Sequence, residues 1–411
     1  PHNNNSSEVM SLKNRPYDIV LIGATGFTGQ LTADYLLKQP QPIKLALAGR
    51  NPEKLSQIRE LLLADNPTAP TPDIIIADSH DMVSLRKLCA QTKVVISTVG
   101  PYALHGEDLV AACITQKCDY VDLTGEPQFV SDMQRKYGAD ATKQRVKIVN
   151  CCGFDSIPHD LGVFFTLEAL SKKLGADVLQ QSAVSVEGFV RGHGDISGGT
   201  WNSAINAMPN WQDFIRERRQ QYKHTATDGR DIRLVEKPTL RKLKDGWAAP
   251  LPTIDPEIVV QSAKRYRHFG QSFRYAHFVV VPQLHRLAMT GAAVAGIFVV
   301  AQFAKGRTWL GKQRPSGAGP APEERARHWF NVEFVAEVKT PTQETVKLST
   351  LVSGGDPGYD ETAKMLAESA LCLLQDKADL PPNFGLVTPA EAMGSHLLRR
   401  LQAAGIAFEV K

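Results

Sequence analysis

The sequence predicts an α/β chain: a doubly wound parallel sheet, then a second α+β domain containing an antiparallel sheet. Three observations carry this. From Tyr17 to Gly153, short apolar runs alternate with amphipathic helical stretches. Three glycines stand at the first strand-to-helix turn. After Gly153 the alternation stops, and runs of period two replace it.

In the first part, "YDIVLIG", "IKLALAGR", "PDIIIAD", "KVVISTVG", "DYVDLT" and "VKIVNCCG" read as strands. They are apolar on both faces, as parallel strands must be when helices cover both sides of the sheet. In the second part we expect a helix from Pro158, a strand in "DVLQQSAVSVEGFV", a Gly-rich turn, a helix through Trp201 to Tyr222, and a charged loop "TATDGRDIRLVEKPTLRKLKDGW". "HWFNVEFVAEVK" and "ETVKLSTLVSG", either side of "TPTQ", read as a hairpin with one wet face. The expected divisions are a disordered leader (1–15), a nucleotide-binding domain (16–153), a substrate and oligomerisation domain (154–376), and a C-terminal segment (377–411) packing back on the first domain. Residues 287–304, "LAMTGAAVAGIFVVAQFA", are apolar between basic flanks. They suit either a helix buried in the fold or an interface, or a membrane-docking element whose basic collar meets anionic head groups.

At 411 residues, 43% hydrophobic and 22% charged, the chain has the composition of an ordinary globular protein. A net charge of +4 without a Lys/Arg run argues against nucleic acid. The six cysteines have neither disulfide-framework density nor CxxC spacing, so they read as thiols in a reducing, cytoplasmic setting, with no metal site among them.

Gly23, Gly26 and Gly29, in "GATGFTG", follow a strand and open a helix. The first glycine permits a tight turn, the second lets backbone approach a pyrophosphate, and the third lets helix pack on strand. The helix N-terminus then points free N–H groups at the anion. Gly23, Ala24, Thr25, Gly26, Phe27, Thr28 and Gly29 are therefore the expected phosphate cradle of a Rossmann domain. Where an NAD enzyme carries a carboxylate, the second strand ends in Arg50 and Asn51, and a guanidinium there favours NADP(H). Asp78 is placed to meet the adenine or to cap a helix. Thr98, Val99, Gly100 and Pro101 end the fourth strand at the crevice. Tyr102 and His105 are the nearest groups able to supply a proton. Asp122 and Asp155 read first as helix caps, and Cys151 and Cys152 as buried thiols.

The stretches "GATGFTGQLTADYL", "LAGRNPEKL", "GPYALHGEDLVAACI", "DLTGE", "GFDSIPHDLG", "SGGTWNSAI", "GDPGYDETAKMLAESALCLL" and "VTPAEAMGSHLLRRL" together resemble the saccharopine dehydrogenase-like oxidoreductases, including their trans-acting enoyl reductase branch. The resemblance implies an NADP-binding Rossmann domain with an α+β domain over its crevice. It also implies frequent membrane or lipid-droplet association and a role in glycolipid or other lipid synthesis.

Three functions fit. One is NADPH-dependent reduction of an enoyl bond in a lipid or polyketide-like substrate, with peripheral membrane contact and a homo-oligomer as companions. Another is imine reduction of the saccharopine type, with Arg191 and Arg230 as candidate carboxylate partners. The third is a non-catalytic NADP-binding scaffold at a membrane.

Overall fold

The computed structural model describes residues 14–195, 198–210, 212, 228–251, 253–314 and 319–411. Its first sheet holds β1 (Tyr17–Ile22), β2 (Leu45–Gly49), β3 (Asp73–Ile76), β4 (Thr92–Ser97), β5 (Asp119–Asp122), β6 (Lys147–Val149) and, from far along the sequence, β14 (Gly385–Val387). All pairs are parallel, in the order β14-β6-β5-β4-β1-β2-β3. Strand order reverses between β1 and β4, which opens a crevice at their carboxyl ends.

Period-two alternation sends Ile19 and Leu21 into one core and Val20 and Ile22 into another. On the first face lie the helices Phe27–Leu37, Pro52–Asp65 and, from the second half of the chain, Asp360–Gln375. On the second lie Met82–Ala90, Glu107–Gln116 and Pro127–Gln144.

The second sheet holds β7 (Ala183–His193), β8 (Asp231–Leu234), β9 (Arg241–Leu243), β10 (Gly246–Pro250), β11 (Ser272–Val281), β12 (Trp329–Lys339), β13 (Thr345–Gly354) and β15 (Ala407–Val410). Its order is β15-β13-β12-β7-β11-β10-β9, with β8 beside β11. The expected hairpin is β12 and β13, antiparallel from Phe330↔Gly354 to Lys339↔Thr345. Alternate residues of β12 (Phe330, Val332, Phe334, Ala336 and Val338) are buried.

Four expectations need correction. The sheet is mixed, because β11 pairs in parallel with both β7 and β8. The expected charged loop, where described, folds as β8, β9 and β10: its charges sit on the wet face, with Arg233 and Arg274 both paired to Asp231, while Ile232 and Leu234 are buried. The helix expected through Trp201 to Tyr222 spans Gly198–Ala207 and gives way to a 3₁₀ turn at Met208–Asn210; most of its expected continuation lies outside the described residues. Finally, Arg15 is buried rather than part of a loose leader, its guanidinium donating to the carbonyls of Cys89, Thr92 and Gln116. Residues 1–13 lie outside the described residues.

The two halves meet through polar joints as well as a shared core. In the helix Ile157–Leu174, Asp160 accepts hydrogen bonds from Ser262 Oγ (2.6 Å) and the Ala390 amide (2.8 Å). Thr388 and Glu391 form a capping box at the start of the helix Pro389–Ala403. Lys147 Nζ donates to three carbonyls, of Pro381, Asn383 and Ala392, and so pins β14's flanks to β6.

Asp122 ties the ends of β5 and β6. Its carboxylate accepts from Tyr120 Oη, Asn150 Nδ2 and the amides of Thr124 and Cys151. Burial nevertheless pushes its pKa up to about 6, outweighing those four donors. The native state therefore holds this proton more tightly than the unfolded chain does. The associated stability is complete below the unfolded value near 3.8 and is lost as pH rises through about 6. Asp122→Asn should lower stability by about 1–3 kcal/mol at every pH, since it sets a donor against donors. It should also flatten the decline between pH 4 and 7, as read from urea midpoints across that range.

Candidate functional site

The glycine turn is shaped by contacts that leave no room for side chains. Gly23 has φ +92°, and a Cβ there would stand 2.5 Å from Thr98 Oγ1. A Cβ on Gly29 would stand 2.3 Å from the Gly23 carbonyl, so the helix Phe27–Leu37 can lie on β1 only with glycine there. Thr98 closes the turn from the β4 side: its hydroxyl donates to the Gly23 carbonyl at 3.1 Å and its amide to the Ile22 carbonyl at 3.0 Å. Gly26 is the N-cap, and no side chain caps this helix end. An uncapped helix start above a cradle without Cβ atoms fits the pyrophosphate of a dinucleotide. Gly23 to Gly29 could hold it through backbone, but not through Phe27's ring. That ring packs edge-on against Tyr359 (5.0 Å) under the Arg325 guanidinium, joining the turn to the second half of the chain.

At the end of β2, Arg50 is exposed and free to meet a phosphate, while Asn51 is otherwise engaged. Its Oδ1 accepts from the Lys54 amide at 2.8 Å and caps the helix Pro52–Asp65. The helix after β3 is capped by Asp81, which removes that alternative for Asp78. Asp78 instead accepts from the His80 amide at 3.0 Å and shapes the loop that an adenine would meet.

His105 is placed differently from the sequence expectation. Its Nδ1 lies 2.9 Å from His80 Nε2, on the β3 side. Burial, then His80, then Arg50 hold its pKa below the usual imidazole range. It therefore stands beside His80, with Arg50 and Asp78 close enough to act on its charge. His80 was missed because an isolated histidine in a loop carries no periodic or motif signal; only the fold brings it to His105.

Tyr102 is also corrected. The side chain is buried, packs on Phe129, and donates its hydroxyl to the Ser97 carbonyl at 3.0 Å. Burial pushes its pKa well up, so it cannot release a proton near neutrality. Val99, Gly100 and Pro101 lead into a short turn of helix whose Tyr102 and Ala103 amides both donate, at 2.9 Å, to the Glu126 carboxylate. Glu126 thus positions the β4 loop from the end of β5. A carboxylate holding two successive amides of another loop has no sequence signature.

Neither Asp122 nor Asp155 caps a helix. Asp122 clamps β5 to β6, and the helix Ile157–Leu174 starts at Ser156 with no side-chain cap. Asp155 is partly exposed in the loop after β6, close against Gly125, and desolvation of its carboxyl lifts its pKa to about 6. All six cysteines are free and buried, and burial pushes the thiols of Cys151 and Cys152 well up, which leaves them unreactive. Arg191 pairs with Asp245 and Glu333. Arg230 is buried among Asp228 and three carbonyls. Both guanidiniums are occupied within the fold.

Two substitutions separate the parts of this site. Arg50→Glu should raise the Kd for NADPH by at least about tenfold while leaving that for NADH within about threefold, because only one of the two carries the 2′-phosphate. Gly29→Ala should weaken both alike. Fluorescence titration of each nucleotide reads both outcomes.

The profile of the saccharopine dehydrogenase NADP binding domain matches residues 19–149. A Mycobacterium tuberculosis protein provisionally named a trans-acting enoyl reductase is 33% identical over 97% of this chain and 99% of its own. An Arabidopsis thaliana protein provisionally named a mitochondrial saccharopine dehydrogenase-like oxidoreductase is 30% identical over 96% of each. Among solved structures, the saccharopine dehydrogenase (L-Glu forming) of Saccharomyces cerevisiae shares the fold, with TM-score 0.57 at 14% identity over 96% of this chain and 99% of that one. Full-length identity, the matched nucleotide-binding domain and the glycine cradle agree: the chain belongs to the saccharopine dehydrogenase-like oxidoreductases and is an NADP(H)-dependent enzyme.

Proposed function

We propose that the protein reduces a polarised C=C bond in a lipid or polyketide-like acyl substrate, working at a membrane surface. The observation that carries the lipid side is the helix Leu284–Ala301. It is apolar and long enough to cross a bilayer, yet only 6% of it is buried. This removes the expectation of a helix buried in the fold. Ile297, Val300 and Ala301 rest on a small cluster with Ile205 and Leu310. Met289, Val294, Val299, Phe303 and Trp309 face outward. Residues 284–314 contain five Lys or Arg (Arg286, Lys305, Arg307, Lys312, Arg314) and no Asp or Glu. An apolar face with amphipathic aromatics and a purely cationic rim matches an anionic lipid interface. The enoyl bond is taken from the name borne by the mycobacterial relatives. The occupied Arg191 and Arg230 speak against an amino-acid substrate.

NADPH supplies the hydride in such a reaction. The chain's own residues would cradle the phosphates, meet the 2′-phosphate at Arg50, and hold a proton beside the crevice. For the last role Asp155 replaces Tyr102 and His105: it is partly exposed where β6 ends, and its carboxyl keeps a proton up to about pH 6.

NADPH oxidation should rise with acyl chain length across a series of enoyl thioesters. Asp155→Asn should cut kcat by about 100-fold or more with the Kd for NADPH unchanged. No oxidation of any enoyl substrate, with vesicles and a carrier protein present, would refute the reading. In flotation assays the protein should bind vesicles containing phosphatidylserine, and Lys305→Glu/Lys312→Glu should weaken that binding by at least about tenfold. A stable dimer in solution with no vesicle binding would assign the helix to a second copy instead.

A further inference from the structure

Where the two halves of the chain meet, three buried side chains converge from three elements. His159 comes from the helix that follows β6, Asp255 begins the helix Asp255–Arg265, and His277 lies on β11. Each is 2% exposed. Both ring nitrogens of His159 and Asp255 Oδ1 lack a hydrogen-bond partner. Buried polar atoms are ordinarily paired, since an unmade bond there costs about 1–3 kcal/mol. Three such atoms in one place mark a missing ligand.

The separations say what kind. His159 Nδ1 and Asp255 Oδ1 are 3.4 Å apart, and one donor atom from each of the three residues falls within 4.8 Å of the others. Two donors bound to one tetrahedral zinc-type ion, at about 2.0–2.2 Å each, stand about 3.4 Å apart. The groups behind them suit that role. The Leu251 carbonyl, 3.1 Å from His277 Nε2, can take the proton on that nitrogen and so select the tautomer whose lone pair is on Nδ1. The Thr253 hydroxyl donates to Asp255 Oδ2, leaving Oδ1 for the ion.

We propose that His159, Asp255 and His277 bind one divalent transition ion of the zinc class. Two imidazoles and a carboxylate make a borderline-soft donor set that prefers zinc, cobalt or nickel to magnesium or calcium. Three protein ligands leave a coordination position for a water or substrate oxygen, the pattern of catalytic and not of structural zinc. The site does not rest on the enoyl reductase reading, and its test uses neither nucleotide nor substrate.

Untagged full-length protein, stripped with chelator and shown folded by circular dichroism, is titrated with Co²⁺. The expected result is one equivalent bound, with the intense visible bands of tetrahedral cobalt and no thiolate charge-transfer band, and displacement by Zn²⁺. Asp255→Asn and His159→Gln should each weaken binding by more than the roughly 10–100-fold that loss of an outer partner costs. Folded wild type that gives no cobalt spectrum overturns the proposal. So does a spectrum unchanged in both variants, or one carrying a thiolate band, which would place the ion at the buried cluster of Cys89, Cys113 and Cys118.

Discussion

The packing of the helix Asp360–Gln375 on the first sheet is the constraint on which the rest depends. Met365, Leu366 and Ala370 are fully buried in the same core as Ile19, Leu21 and Val94. Without that helix, one face of β4 and β5 would meet water. Each large apolar side chain so covered contributes about 1.5–3 kcal/mol, and Tyr35 adds a hydrogen bond of 2.7 Å to Glu368. The nucleotide-binding sheet is therefore not a self-sufficient unit. The crevice at its carboxyl edge acquires a fixed shape because the same core runs on into β12, through Phe330, Val332 and Phe334.

Within that crevice the chemistry is divided by position along the sheet edge. At β1 the chain offers only backbone, and Thr98 and Gly29 hold the turn so closely that selectivity there is steric. Toward β3 the surface turns cationic and polar, with Arg50, His80 and His105 grouped against Asp78. Toward β6 it becomes acidic, with the buried Asp122 and the partly exposed Asp155 both displaced toward their protonated forms. A dinucleotide laid across such an edge would have its charged end at Arg50 and its reactive end where protons are held.

The first sheet was legible because parallel strands buried on both faces leave continuous apolar runs, and because a glycine turn of this kind has few structural alternatives. The β12–β13 hairpin was legible from its alternation. What escaped notice depends on contacts distant in sequence. β8 and β9 looked like a charged loop because edge strands carry charges outward. Tyr102 and His105 looked catalytic because each follows β4, yet a carbonyl at Ser97 and an imidazole at position 80 claim them. Glu126 and Asp155 gain meaning only where the loops after β4, β5 and β6 meet, and the trio of His159, Asp255 and His277 only once two halves of the chain close on each other.

The last 35 residues place one strand in each sheet: β14 extends the first beyond β6, and β15 pairs with β13 in the second. Neither layer is complete without this segment. A chain cut before residue 385 would expose an unpaired β6 edge and an uncovered β13, both open to pairing with other chains. One short segment thus couples closure of the nucleotide-binding layer to closure of the other sheet.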